Sequence, residues 1–556
     1  MNLSERLSYV SSPVAKDAEG AYEAAATPQI FDDGALREGP APVYTSPEVL
    51  GLLAQYVAVG LLYGAMPNLL YPLFIGYFHL EGSQFNSAKV LIGLGWSLKA
   101  FVGILSDCVP LRGYRRKSWM LVGWTSCLIS MLVLATMDMG APYFRDPTVA
   151  RVAIGNLTRE QLATINPQAA VRGGVVVILC AWGTLSYVIS DVPADALVVE
   201  IAQREPAAIR GRMQSLIYLT RTVSSCVSTA LIGFCLNSPR FAGSYSWDMG
   251  VNTIFILLAI ACAAMLPITY WFVIETPTPR VQIHKYVAQF WNLVQRRATW
   301  QIMLFSFFFN LLNAGVTSTA APYVMYQWAG VENVNNQLTG IVGNIIFAGV
   351  LGFMGKWGTL WNWKIVIIVT TLSANIIDAI VQFCTIYNIV RNQWFYIGVP
   401  LAENLPYAMQ FIVTTFVIVE LAEVGNEGVV YGLLTTVSNL PAAFGPVVAN
   451  VVYGSFDVSS EAIALDSHHT RNQVAATYVI YYATTVLACF CVVLLPSQKD
   501  ALHELQASGG LFPRVGGAVL GFCCVVLIYS IVASLLSMFE ATMCTVIAGG
   551  KGCYAS

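Results

Sequence analysis

The 556-residue sequence is 56% hydrophobic and only 11% charged, with mean hydropathy +0.63, whereas soluble domains carry about 25% charged residues. So much apolar surface requires lipid, and a net charge of -2 excludes the basic excess by which a whole domain binds nucleic acid. The 5 histidines, all at the ends of apolar runs or in loops, and 13 cysteines without paired ligand spacing argue against an embedded enzyme, a metal site or a cofactor.

Residues 1 to about 45 are polar and rich in Ala and Pro, and they lack the basic start, apolar stretch and small-residue cleavage site of a secretory signal. A disordered cytosolic tail is predicted there. Beyond it, runs of about 20 apolar residues, the length that crosses a hydrocarbon core about 30 Å thick, recur along the chain. They fall at 49–78, 84–106, 118–137, 173–202, 212–236, 250–274, 300–328, 337–355, 364–386, 393–422, 429–454 and 474–495, with a thirteenth at 515–539. Each has to be a helix, because a helix satisfies its own backbone in lipid and offers no open strand edge. The expected fold is all-α and integral to the membrane. It has an N-terminal six-helix half (46–276), a cytosolic linker (277–299), a C-terminal six-helix half (300–496) and a final region (497–556) holding a cytosolic segment, an extra helix and a tail.

Orientation follows from Lys and Arg. With the amino terminus inside, Arg112, Arg115, Arg116 and Lys117 fall in the cytosol, followed by Arg204, Arg210 and Arg212, by Arg280, Lys285, Arg296 and Arg297, and by Lys356, Lys364, Lys499 and Arg514. The outer loops hold about half as many, which is the asymmetry that sets topology. The sequon Asn156-Leu157-Thr158 then lies outside. An odd number of spans also puts the carboxyl terminus outside, where Cys544 and Cys553 form a disulfide if that side is oxidising.

An internal repeat divides the chain. Val198-Val199-Glu200-Ile201-Ala202 closes the fourth span and Ile418-Val419-Glu420-Leu421-Ala422 closes the tenth. Each is followed by a hydrophilic turn and another helix, and a two-residue gap aligns Arg221 with Asn439. Parallel halves of six helices are the architecture of the major facilitator superfamily.

The segment GILSDCVPLRGYRRK, residues 103–117, ends the second span with an acid and turns through Pro110 and Gly113 into a basic cluster. Asp107 is placed to accept hydrogen bonds from backbone amides of a neighbouring helix end, and Arg115, Arg116 and Lys117 sit where cytosolic charge is favoured. This segment resembles the major-facilitator loop that latches the cytosolic helix ends in the outward-open state. Four blocks, SDCVP with GYRRK, DVPADALVVE, RGRMQS and GNEGVVYGLLTTVSN, resemble the folate-biopterin transporter family in content and order. The likeness covers about residues 50–500, and it departs from the family at the turn Glu423 to Glu427 and in the thirteenth span. The resemblance implies a carrier of a folate or pterin, and the expectation is a secondary transporter of the plasma membrane that couples to protons. A carrier of S-adenosylmethionine or another nucleoside-like metabolite, or a non-transporting receptor, are the alternatives.

Ionisable groups inside spans are costly unless paired or hydrated, and so mark function. Asp191 and Asp195, four apart with Pro193 between them, share a face of the fourth span. At about 1.5 Å per residue they lie roughly 17 and 11 Å from the cytosolic end, and Arg221 roughly 14 Å. An ion pair of Arg221 with one of these acids is therefore expected, either as a static pair or as a proton-coupled one that releases Arg221 to an anionic substrate. Lys99, about two turns above Asp107, either joins them or snorkels to the cytosol. Glu200 and Glu420, at equivalent helix ends, are expected to contact cytosolic loops and to join Asp107, Arg115 and Arg116 in the gate. Tyr63, Tyr71 and Trp182, with Glu403 near the outer end and Asn439, are candidates to line the cavity, and Asp378 is expected to make a packing contact. Glycines and prolines near Met66-Pro67 and Tyr71-Pro72 predict a bend in the first span.

Overall fold

An apolar run in lipid has one economical backbone solution, and the chain takes it repeatedly. The structure, a computed structural model, describes residues 41–548 and residue 553, apart from residues 151, 203, 206–211, 276, 278–282, 359–360 and 422–426. The tail expected at residues 1–45 therefore lies almost wholly outside the described residues, as do Arg210 and Arg280. Among the described residues, eleven helices are long and apolar enough to cross a membrane.

Helix α1 starts at a Ser46 cap, whose hydroxyl accepts from the Val49 amide at 3.4 Å, and at Pro47, whose missing N–H costs nothing there. It runs Pro47–Asn68 and continues as a wider π-helical stretch, Leu70–Tyr77. Pro67 and Pro72 each remove a backbone donor, so the predicted bend takes the form of this wide turn. Helix α2 comprises Gly82–Ser97 and Lys99–Cys108, interrupted at Leu98. Helices α3 (Lys117–Thr136), α4 (Gln168–Ala202), α5 (Arg212–Cys235) and α6 (Val251–Phe272) complete the first half. A linker helix, Ile283–Val294, leads to the second.

There α8 (Asn333–Phe353), α9 (Trp363–Ile386), α11 (Glu427–Tyr453) and α12 (His468–Cys491) are continuous. The two expected spans at 300–328 and 393–422 are not. Helix α7 passes from Arg297–Asn310 into the π turn Leu311–Gly315 and resumes as Ala321–Tyr323 and Val324–Trp328. Helix α10 is Gln393–Gly398, Val399–Glu403 and Asn404–Leu421. Gly315 and Pro322 in α7, and Gly398 and Pro400 in α10, weaken the regular ladder at those breaks. A short helix, Lys499–Ser508, precedes α13, Pro513–Ser537.

Buried apolar side chains form one large cluster from Val49 to Val273, joined by Met538, and a second from Leu293 to Leu527. Within each half a glycine contact draws equivalent helices together. A Cβ on Gly60 of α1 would lie 2.5 Å from the Arg221 carbonyl of α5, and one on Gly445 of α11 would lie 2.3 Å from the Gly315 Cα of α7. The repeat read in the sequence thus reappears as a repeated helix contact. The extra helix α13 rests on α2 and α11, one from each half, with Ser537 Oγ 2.5 Å from Ser87 Oγ and Asn450 donating to Ser87 Oγ at 3.4 Å. Beyond α13, Cys544 and Cys553 are disulfide-bonded.

The halves meet closely at the helix ends remote from the 103–117 segment. Tyr71 donates to the Val331 carbonyl at 2.6 Å, Tyr323 to the Leu80 carbonyl at 2.8 Å, and Ser460 to Glu81 at 2.7 Å. His79 is buried beside them, stacked on Tyr143 and edge-on to Phe144 and Tyr323. The halves are closed against each other at this end.

Candidate functional site

The central site is built on the break in α2. Leu98 leaves helical geometry (φ -95, ψ 0) and its amide bonds to Gly95 and Trp96 rather than one full turn back, so Lys99 opens a new helical segment. Its ammonium lies 3.0 Å from Asp191 Oδ2 and also bonds Asp195 Oδ2. The four-residue spacing on α4 presents both carboxylates to this one cation. Tyr56 of α1 donates to Asp195 Oδ1 at 2.5 Å. The cluster is graded in exposure. Asp191 is fully buried and its Oδ1 has no hydrogen-bond partner among the described residues, whereas the Asp195 side chain is 40% exposed and that of Lys99 24%.

Arg221 does not make the expected ion pair: among the described residues no carboxylate lies within 4.0 Å of it. Its guanidinium lies over Tyr63 at 5.5 Å and Tyr218 at 5.1 Å. The cause is the Gly60 contact, which presses the Arg221 carbonyl against α1 and so commits the side chain to the Tyr63 side of α5. The two acids meanwhile have Lys99. Aromatic rings connect the two cations. Tyr63 meets Trp96 edge-on at 5.4 Å, Lys99 lies 5.2 Å from the Trp96 ring, and the Trp96 indole donates to Tyr187 at 3.2 Å. Asn439 arrives from the second half, donating to the Trp96 carbonyl at 3.5 Å and accepting from Ser97 on its own carbonyl at 3.4 Å.

A charged cluster at a helix break between two six-helix halves narrows the class, and comparison with known proteins settles the family. The BT1 family model matches residues 57–160 and 149–501. The chain belongs to the BT1 family. It is 25% identical over 415 residues, 71% of this chain and 72% of the relative, to the folate-biopterin transporter of Synechocystis sp.. It is 23% identical over 171 residues, 31% of this chain and 27% of the relative, to probable folate-biopterin transporter 4 of Arabidopsis thaliana. In fold it is similar to the D-xylose-proton symporter (TM-score 0.54, 14% identity, 81% of this chain and 98% of that one). The inward-open xylose transporter XylE from E. coli is another neighbour (TM-score 0.52, 17% identity, 84% and 100%). These neighbours have the major-facilitator fold, and family and fold together make this BT1 protein a membrane transporter.

The remaining predicted residues of this BT1 protein fall in different places. Trp182 is 55% exposed on a face shared with Val171 and Val175. It lies nine residues before Asp191, about two and a half turns, and so on the opposite side of α4. Tyr71 is 6% exposed and bonds across the two halves to the Val331 carbonyl. Glu403, expected in an outer vestibule, is buried at the start of the long α10 segment and accepts from Tyr407 at 3.2 Å, with its Oε1 unpartnered. Asp378 accepts from Tyr482 at 2.9 Å and Gln382 at 3.1 Å, a packing arrangement within the second half.

Of the residues expected in a cytosolic gate, the side chains of Asp107 and Glu420 lie outside what is described. The amides that open α3 are occupied by Glu275, from beyond α6. Arg115 N donates to it at 2.8 Å, Arg116 N at 3.0 Å and Lys117 N at 2.9 Å. A carboxylate at a helix start is the favourable arrangement. Arg116 also reaches Glu200 at 3.5 Å, which joins the 103–117 segment to the end of α4. Sequence reasoning missed Glu275, Tyr56, Tyr187 and Tyr218. Tyr56 carried a signal, since it lies seven residues before Tyr63 and two helical turns place it on nearly the same face.

Proposed function

We propose that this BT1-family protein is a secondary active carrier that moves a folate or pterin together with protons by alternating access, acting at the plasma membrane. The observation that carries the reading is one lysine shared by two carboxylates near an arginine that has no carboxylate within 4.0 Å among the described residues. Protonating either acid removes half of the charge that holds Lys99, so proton binding is a means of loosening α2 from α4. Arg221 then offers its fork to a substrate carboxylate, and Tyr63 and Trp96 offer ring faces to a flat heterocycle. The relatives' names supply the substrate class, folate and biopterin. The closed outer side matches a carrier facing the cytosol. A disulfide in the outward tail suits an oxidising exterior.

The test is uptake into proteoliposomes. Wild type is expected to accumulate labelled folate when an inward-acid gradient is imposed. Asp191→Asn and Asp195→Asn are each expected to lose that accumulation while retaining ligand binding. Undiminished accumulation in both variants would sink the coupling scheme. A thermal-shift comparison of folates, pterins and sulfonium nucleosides decides the substrate, and stabilisation by S-adenosylmethionine alone would replace folate in the reading.

A further inference from the structure

Helix α2 carries a second lysine that the cluster around Asp191 does not use. Lys89 lies inside the span Gly82–Ser106, about 10 Å from its Gly82 end, where an ammonium is costly unless it is paired or hydrated. Among the described residues no carboxylate lies within 4.0 Å of it, nor does any described charge act on it from further away. Protein encloses the ammonium, yet the side chain is exposed. A lysine surrounded by helices and still accessible faces an internal opening.

The other faces of α2 are taken. A Cβ on Gly95 would lie 3.2 Å from the Leu185 Cα of α4, Asn86 donates to Asn450 of α11 at 3.3 Å, and Ser87 meets Ser537 of α13. Two positions from Ser87, Lys89 lies on nearly the opposite side of the helix, away from α13. One turn on, a Cβ added to Gly93 would meet nothing within 4 Å, so the opening continues past it. Two turns on, the same face carries Trp96, whose ring meets the exposed ring of Tyr63 edge-on at 5.4 Å. Arg221 lies over that Tyr63 ring at 5.5 Å. Lys89 and Arg221 therefore stand at the two ends of one aromatic strip. In the other direction Gly82 leaves no room for a Cβ against the Thr319 carbonyl of α7, which puts Lys89 just inside the closed end.

We infer that Lys89 is a second anion contact of the carrier, the one that recognises the second carboxylate of a dicarboxylate solute. The inference rests on the proposed reading of the protein as a folate or pterin carrier and adds which members of that class it selects. Folate ends in a glutamate with two carboxylates, pteroate carries one, and an unconjugated pterin has none. Arg221 takes one carboxylate in its fork, and the flexible stem of Lys89 brings a point charge to the other. A monocarboxylate leaves that charge unused.

The experiment measures equilibrium binding of folate and of pteroate to the purified full-length protein, as wild type, Lys89→Gln and Lys89→Arg. Wild type is expected to hold folate about tenfold more tightly than pteroate, the order of one charge-assisted hydrogen bond. Lys89→Gln is expected to lose that preference by weakening folate alone, and Lys89→Arg to restore it. A role in packing alone would move both ligands together. Equal wild-type affinity for the two compounds overturns the inference, as does a Lys89→Gln variant that binds both as wild type does or weakens both alike, and each of these results leaves the folate reading standing. Binding of neither compound by the wild type overturns that reading, and this inference with it.

Discussion

Lys99 holds two carboxylates with one positive charge, and the consequences are unequal for the two acids. Asp191 has no exposure and one oxygen without a partner, so removing Lys99 strands a buried charge. Stranding one costs about 3 to 5 kcal/mol in buried pairs, and the partial exposure of Lys99 puts the expected loss for Lys99→Ala at the low end. Adding Asp191→Asn to that variant removes the stranded charge and is expected to recover much of the melting temperature. A double variant no more stable than the single one would contradict the pairing. His79, buried where the halves meet, makes a separate prediction. Burial lowers its pKa from 6.5 to about 4, so the folded protein holds it neutral while an opened chain takes up a proton below 6.5. The stability it contributes is present above pH 6.5 and is lost as pH falls toward 4, by of order 2 kcal/mol at pH 5. His79→Asn, which accommodates the positive φ of 55 at this position, is expected to flatten the melting temperature across that range.

Helices in this protein are positioned by small contacts and by breaks more than by helical propensity. Gly60 of α1 admits the Arg221 carbonyl and Ser224 of α5 so closely that a Cβ would sit 2.5 and 2.8 Å from them. Gly60→Ala is expected to force the two helices apart, at a cost typical of overpacking, about 1 to 3 kcal/mol, and to displace Arg221 from Tyr63. Gly93→Ala is the matched control, because a Cβ there meets nothing within 4 Å. Thermal unfolding of both variants checks this, and equal melting temperatures would contradict the close approach. The break at Leu98 carries the same lesson, since an unbroken α2 would turn Lys99 to another bearing on the helix. Span lengths and the repeat were legible in the sequence because lipid imposes a thickness and an apolar surface. The segmentation of α7 and α10 was not, because a Gly or Pro marks a weak point without saying which way the chain leaves it.

The halves are joined at one end by hydrogen bonds between residues hundreds of positions apart, as between Glu81 and Ser460. A carrier that alternates has to break them in each cycle. Glu81→Cys with Ser460→Cys is expected to cross-link on oxidation and to stop uptake, which a reductant restores; transport that continues after verified cross-linking would contradict a moving outer gate. The sequence alone determined the membrane class and the two-half architecture, because both follow from the cost of placing polar groups in hydrocarbon. Only the tertiary structure decided which cation meets the acids. Depth along a helix fixes a level, while the partner at that level depends on helix rotation, on the break before Lys99 and on the glycine contact that turns Arg221 toward Tyr63. Those are properties of packed neighbours, which a single chain read end to end does not contain.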